Sequence, residues 1–278
     1  MLGNVVGAFI VTSATAGATA GASTGATATA GATSRAGAVM RPAVVEVAEG
    51  TLEGPGGHGV AGPAELDAVF PEPTKAGDLL VAAVIDGVVT SGMRQPGWDP
   101  TGWRLAVDEI GGETATDGVG PPRTGGLQAS VWFWPDNPGG VTAVRFGEIP
   151  AGTTAAVTAY VAELSGVPRK LRVVATGTST SGPTSGTYTD RSTVETSRAP
   201  SVVPALVLAA FTNGGTDPYG ERFQRSSGWT TIGQDPDRGG VDQPILFDER
   251  VWRSHRRVSE AMRYDETIDN CAAMAALA

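Results

Sequence analysis

The sequence has few of the residues that most often carry chemistry or cross-link small folds. Its 278 residues include one cysteine and two histidines, with 18% charged and only 6% aromatic residues. One cysteine excludes a disulfide scaffold, and so few sulfur and imidazole ligands exclude a structural zinc site. No apolar run reaches the roughly 18 residues of a transmembrane helix. The net charge of −9 argues against nucleic-acid binding, because phosphate contacts need positive charge.

Small and turn-forming residues dominate instead. Gly (39), Pro (19), Ala (40) and Thr (31) make up nearly half of the chain, which excludes a helical bundle or coiled coil. From Pro42 onward, short runs rich in Val, Ala and Thr alternate with turn residues, a pattern typical of β-strands. We predict strands over 44–48, 66–70, 79–85, 104–110, 127–134, 141–146, 155–164, 171–177, 205–211, 229–233, 246–252, 258–264 and 272–277. Segments 111–126 and 179–201 are predicted as surface loops.

The first 42 residues differ from the rest. Of the 27 residues in 12–38, 26 are Ala, Gly, Thr or Ser, so this stretch cannot bury enough apolar surface to order itself. We predict that 1–42 is an extended anchoring arm ordered by neighbouring molecules. The apolar cluster before this stretch is expected to dock on a partner, with a frayed tail as the alternative; it consists of Val5, Val6, Phe9, Ile10 and Val11. No basic residue precedes the cluster, as a secretory signal would require, so we expect the protein to remain in the cytoplasm until it is assembled.

The remainder, 43–278, contains an approximate internal repeat with halves 64–167 and 202–278. Each half has a buried strand, then a Gly-Trp corner (Gly102-Trp103 and Gly228-Trp229), then a Val-Trp strand (Val131-Trp132 and Val251-Trp252). A duplicated set of strands favours an all-β fold, an antiparallel, jelly-roll-like β-sandwich. The runs 79–85 and 205–211 are apolar on both faces, which predicts central strands that are covered on both sides or that form a subunit contact.

Several segments also carry a family resemblance. The resemblance is carried by residues 70–82, by Pro96-Gly97-Trp98 or Gly102-Trp103, by the tripeptide Ser130-Val131-Trp132 and by the strand end at 163–167. These segments resemble β-sandwich modules of actinobacterial phage minor tail proteins and of some bacterial surface proteins. The resemblance covers about 64–278 and extends to the Ala/Gly/Thr-rich leader. It implies a virion-associated structural role and supplies no catalytic residues. The run 253–257, with its three arginines, departs from the pattern.

Candidate catalytic and metal-binding residues are few. His58 lies in a Gly-rich segment and His255 lies among arginines, so neither suits a serine triad, and we expect no enzyme. A solvated turn is the simplest interpretation of the acidic segment that contains Asp235, Asp237 and Asp242. The alternatives are a calcium site, the one cofactor considered, and a depolymerase that pairs these carboxylates with Asp248 and Glu249.

Aromatic and basic residues leave further alternatives open. Four aromatic residues fall near predicted loops: Trp98, Trp103, Tyr219 and Trp229. They would contact a ligand such as a host glycan, pack at sheet corners or lie in a subunit interface. Arg253, Arg256 and Arg257 would pair with acidic groups of a neighbouring subunit or form a solvated hairpin end.

Taken together, these features predict a structural virion protein of a tailed phage. It would be a minor tail or tail-tip component whose β-sandwich is exposed for host attachment or decoration. The alternatives are a capsid decoration protein and a carbohydrate-binding surface module. We expect other virion proteins as partners, a homo-oligomer, taken as a trimer, no nucleic acid and no membrane insertion.

Overall fold

The computed structural model describes residues 40–52, 60–62, 64–88, 102–111, 127–149, 154–181, 189–213, 224–235, 245–268 and 270–278. All of them belong to one compact unit, Ala38–Ala278. Most of the predicted arm, 1–39, lies outside the described residues. Within these ranges the chain is all-β and antiparallel, and they contain no helix that is long and apolar enough to cross a membrane.

Sixteen strands form the described part of the fold. They are β1 (Ala43–Leu52), β2 (Val60–Ala61), β3 (Ala64–Val69), β4 (Leu79–Val88), β5 (Arg104–Gly111), β6 (Leu127–Trp134), β7 (Ala143–Ile149), β8 (Thr154–Ser165), β9 (Val173–Ser181), β10 (Thr189–Glu195), β11 (Ala205–Asn213), β12 (Gln224–Arg225), β13 (Thr230–Asp235), β14 (Ile245–Trp252), β15 (Ser259–Ile268) and β16 (Asn270–Leu277).

Two large sheets pack face to face. The first has the order β1-β8-β4-β6-β5, with β2 also paired to β8, and the second has the order β13-β14-β11-β16-β9. Between them lies the largest core, built from alternate residues of the facing strands. Its large buried side chains include Ile85, Phe133 and Leu164 from the first sheet and Leu206, Leu208 and Phe247 from the second.

A small sheet covers the outer face of each large sheet. The β3-β7 pair covers the first sheet and buries Leu66, Phe70 and Phe146. The β10-β15-β12 sheet covers the second and buries Val194, Val258 and Met262. The central strands β4 and β11 therefore have two dry faces over the runs 79–85 and 205–211, which is why these runs are apolar throughout rather than alternating.

The two halves share one strand order. Replacing β1, β8, β4, β6 and β5 by β9, β16, β11, β14 and β13 converts the first large sheet into the second, and β3-β7 likewise becomes β10-β15. Each half thus contains a seven-strand unit with a five-stranded and a two-stranded layer, and the additional strands β2 and β12 pair with β8 and β15. The units begin at β1 and β9, upstream of 64–167 and 202–278.

Irregularities recur at matching positions in both units. The pairing of β5 with β6 shifts between Leu105 and Val107, and that of β13 with β14 shifts between Thr231 and Gly233. Bulges occupy defined places in a strand pair and bend it locally. Their recurrence therefore fixes the alignment of the two units residue by residue.

That alignment corrects the predicted register of the repeat. Ala82 pairs with Trp132 in the first unit, whereas its counterpart Ala209 pairs with Asp248 in the second. Trp132 therefore corresponds to Asp248 and not to Trp252. The two Val-Trp dipeptides lie four residues apart along equivalent strands, so their likeness comes from composition and not from position.

One predicted loop contains a strand. Segment 179–201 includes β10, in which Ser192 and Val194 are buried while Arg191, Thr193 and Glu195 are exposed. The alternation of a half-buried strand is present, but Val194 is the only large apolar residue in it. Apolar periodicity could not reveal a strand whose inward face is mostly polar.

Candidate functional site

The two Gly-Trp corners both have a glycine with a positive φ. Gly102 and Gly228 have φ of 117° and 87°, a region that favours glycine, and each precedes a tryptophan at the start of an equivalent strand. Trp103 is 9% exposed and Trp229 is 6% exposed, and both belong to outer cores. This burial favours packing over ligand contact for these two residues.

Different side chains stack on the two corner tryptophans. The Trp103 ring lies 6.0 Å from the Trp134 ring, with the planes tilted by 58°. The residue equivalent to Trp134 is Arg250, whose guanidinium carbon lies 6.0 Å from the Trp229 ring centre and 5.0 Å from that of Trp252. A cation–π contact thus replaces an aromatic pair. Trp98 and Tyr219, the other predicted ligand-contact aromatics, lie outside the described residues.

The candidate carboxylates are not gathered into one cleft. Asp248 and Glu249 are neighbours on β14, so their side chains leave opposite faces of the sheet. Asp248 is directed into the outer core and Glu249 into the core between the large sheets, an arrangement that does not put two carboxyls across one sugar. Asp235 ends β13, and Asp237 and Asp242 lie outside the described residues. Across the described ranges, no three His, Cys, Asp or Glu side chains are grouped as metal ligands.

Acidic residues of the second unit occupy positions that are apolar in the first. Asp248 and Glu249 correspond to Trp132 and Phe133, as the pairings of β14 with β11 and of β6 with β4 show. Glu249 is 7% exposed, and burial together with the nearby charge of Asp248 raises its pKa to about 7. Glu260 corresponds in the same way to Val144, is fully buried and accepts a hydrogen bond from the Ser226 amide at 3.1 Å.

A polar network at the start of β4 was not predicted from the sequence. The Asn137 side-chain amide donates to the carbonyls of Lys75 and Asp78 at 3.1 and 2.6 Å, and its oxygen accepts from the Gly139 amide at 2.7 Å. The Lys75 amide donates to the Glu163 carboxylate, whose pKa is raised mainly by burial. Turn residues near Asn137 signal a loop, but nothing in the pattern shows which loop it joins.

His255 is an exposed turn residue. Its ring Nδ1 lies 3.4 Å from the Pro200 carbonyl oxygen, which joins two turns of the second unit. Arg253, Arg256 and Arg257 surround it in sequence, and all are exposed. In the part of the chain that the structure describes, this histidine has no bond to a nucleophile such as a triad needs. His58 lies outside that part.

None of the protein families, curated proteins and solved structures compared with this chain matches it.

Proposed function

We propose that the protein is a structural component of a tailed-phage virion, most specifically a minor tail or tail-tip protein. Its N-terminal arm would anchor it in the particle, and its β-sandwich body would present loops for host attachment or decoration. The protein would be assembled in the host cytoplasm and reside in the virion. Its work would be assembly, without catalysis.

The observation that carries this proposal is the contrast between leader and body. Residues 12–38 consist almost wholly of Ala, Gly, Thr and Ser, whereas the unit from Ala38 onward has three hydrophobic cores of its own. A body with internal cores needs no partner to fold, while a leader of this composition needs external contacts to become ordered. These properties suit a protein that is anchored in a particle by its leader and exposes its body.

The buried side chains support a structural role over the alternatives. Trp103 and Trp229 lie in packing positions, so they do not offer ring faces to a glycan as a carbohydrate-binding module would require. Asp248 and Glu249 face different cores, which disfavours a depolymerase that uses this pair. The predicted anchor contacts of Val5, Val6, Phe9, Ile10 and Val11 remain part of the proposal, as do a homotrimer and the absence of a cofactor.

We further infer that each seven-strand unit is an incomplete jelly roll and that the units arose by duplication. The order β1-β8-β4-β6 with β3-β7 opposite is that of a jelly roll in which one hairpin is lacking from the small sheet. The matched bulges and corners support common descent, because unrelated sandwiches have no reason to share them.

Location and deletion experiments test the virion proposal. Antibodies against the body, applied to particles from cells that make the protein, should place gold at the tail. Deletion of 1–41 should leave a soluble β-rich protein that no longer enters particles. The control is a full-length chain in which the order of residues 12–38 is scrambled while their composition is kept. Gold label on the head would instead support a capsid decoration protein. Particles without the protein, or unchanged incorporation after deletion, would overturn it.

A further inference from the structure

One end of the body gathers basic side chains from both units. In the first large sheet β1 and β4 begin there and β6 and β8 end there, because Ala43 pairs with Ser165 and Leu80 with Trp134. In the second sheet Ala205 pairs with Trp252 and Leu206 with Leu277 at the corresponding end. Arg253 Nη2 donates to the Met40 carbonyl at 3.3 Å, so the two ends lie together.

The charge at this end is opposite to that of the whole chain. The connections there are 40–42, 70–78, 135–142, 166–172, 196–204 and 253–258. They contain nine of the 20 Lys and Arg residues, including both lysines, but only three of the 29 Asp and Glu residues. The connections together are therefore net positive, and the rest of the chain is more negative than the −9 of the whole chain.

The second unit contributes four exposed arginines, Arg198, Arg253, Arg256 and Arg257. The contact between His255 and the Pro200 carbonyl holds the turn that carries three of them against the turn that carries Arg198. Arg257 forms an ion pair with Glu195 at 3.5 Å.

The first unit and the linker between units contribute Arg41, Lys75, Arg169, Lys170 and Arg172, all exposed. The Arg41 amide donates to the Gly166 carbonyl at 3.1 Å, which brings the start of the body to the linker. The Arg169 guanidinium lies against Gly77, where any added side chain would overlap it, and pairs with Asp136 at 3.4 Å. These five residues and the four of the second unit form what we call the basic end.

We propose that the basic end is a docking face for an acidic protein surface of the particle. Among the described residues, ion pairs occupy only Arg169 and Arg257 of its nine cations, and both pairs are solvent-exposed. Arginine matches carboxylates with two parallel hydrogen bonds, and a set of weak exposed pairs becomes strong only when several act together. The inference rests on the proposed function, because β1 begins at this end and the leader that we propose as an anchor precedes β1 in the chain.

An acidic protein fits this face better than a nucleic acid does. Phe70, which is buried, is the only Phe, Tyr or Trp in the six connections, so the His255 imidazole is the one exposed ring they offer for base stacking. Asp136 and Glu195 interrupt the positive surface. The chain as a whole, at −9, repels phosphate beyond the immediate contact.

Two full-length variants with equal net charge test the proposal. The basic-end variant carries Lys170→Gln, Arg172→Gln, Arg198→Gln and Arg256→Gln, which are exposed side chains without an ion pair among the described residues. The control carries Arg94→Gln, Arg123→Gln, Arg222→Gln and Arg238→Gln, which lie in segments outside those residues. Circular dichroism should show the same β content in both variants and in the unmodified protein.

Binding to poly-L-glutamate and to duplex DNA is then measured by fluorescence anisotropy at low salt. We expect the unmodified protein and the control to bind polyglutamate about equally, the basic-end variant to bind about tenfold more weakly, and all binding to weaken as NaCl rises. Equal loss in both variants, or tighter binding of DNA than of polyglutamate, would overturn the proposal. Self-association that only the basic-end variant loses would assign the face to a second copy and also overturn it.

A particle experiment separates this inference from the proposed function. Particles assembled without the protein should sediment with the unmodified protein and the control, but less with the basic-end variant. Charge-dependent polyglutamate binding without any association with particles would refute the virion role while leaving an acidic partner for this face. Association with particles that is the same for both variants would refute the docking face alone.

Discussion

A buried acid in the central core is the clearest difference between the two units. Glu249 occupies the place of Phe133, a buried aromatic residue of the first unit. Its carboxyl is destabilised as an anion, because burial removes water and Asp248 adds negative charge nearby. The packing of the second unit against the central core should therefore respond to pH.

The first prediction concerns this carboxyl. Its pKa of about 7 in the folded protein lies above the ordinary value of 4.5, so the folded state retains the proton to higher pH than the unfolded chain does. The free energy of unfolding should fall as pH rises from about 4.5 to about 7, and then level off. Glu249→Gln should remove about 2 kcal/mol of that fall, a value already reduced for partial solvent screening.

Urea denaturation of both proteins between pH 5 and pH 8 checks this prediction, with the exposed Glu72→Gln as control. The control should follow the unmodified protein. Parallel pH profiles for Glu249→Gln and the unmodified protein would show that this carboxyl ionises freely in the folded state.

At the scale of strands, the two large sheets fit together because a large residue of one unit is matched by a small residue at the equivalent position of the other. Ala83 pairs with Val131 and Tyr160, and its counterpart Ala210 pairs with Phe247 and Ala273. Tyr160 of β8 packs on Gly233 of β13, where an added side chain would overlap its ring. In the alignment of the two units, Tyr160 corresponds to Ala273 and Gly233 corresponds to Val107. The large and small residues of the pair are therefore interchanged.

A double-mutant cycle tests this complementarity. Gly233→Val should lower the free energy of unfolding by about 2 kcal/mol through overpacking, and Tyr160→Ala should lower it by about 3 kcal/mol through a cavity. Together they recreate the arrangement of Ala273 and Val107, so the double variant should be at least about 1 kcal/mol more stable than the sum of the two effects predicts. Additive losses in chemical denaturation would show that the two side chains do not share space.

The sequence predicts the strands of this fold better than their partners. The apolar run 79–85 is sufficient to locate β4, because burial on both faces leaves an unbroken apolar signal, and the aromatic-rich segment 127–134 locates β6. The sequence does not locate β10, in which Val194 is the only large apolar residue and lies on the inward face with Ser192. The sequence identifies the corners at Trp103 and Trp229 as equivalent. It does not decide whether the two tryptophans are buried or exposed, because that depends on the sheet that covers each of them. The roles of Asn137 and Glu163 depend on contacts 59 to 88 positions away in the sequence, which no local pattern records.

At the scale of the whole molecule, the shared central core makes the units mutually dependent. Each large sheet turns a five-stranded apolar face toward the other, and only the outer faces are covered within a unit. The linker 166–172 joins the end of β8 to the start of β9, so it is the natural place to divide the body.

Fragments 40–168 and 169–278 should therefore be insoluble or aggregated when made separately, because each would expose its inner sheet. Made together, they should co-purify as a one-to-one complex with the β signature of the intact chain. Gel filtration with light scattering and circular dichroism provides the measurement. A soluble, monomeric single fragment with a cooperative thermal transition would contradict the dependence.

The duplication that we infer for the two units would have a historical consequence. A progenitor consisting of a single unit would have had to associate with a twin to shield its broad apolar face, and any substitution there would have appeared twice at once. Fusion through a short tether would have freed each partner to change alone, provided that its mate accommodated the change. The Tyr160–Gly233 contact and the acid at 249 fit such a released constraint.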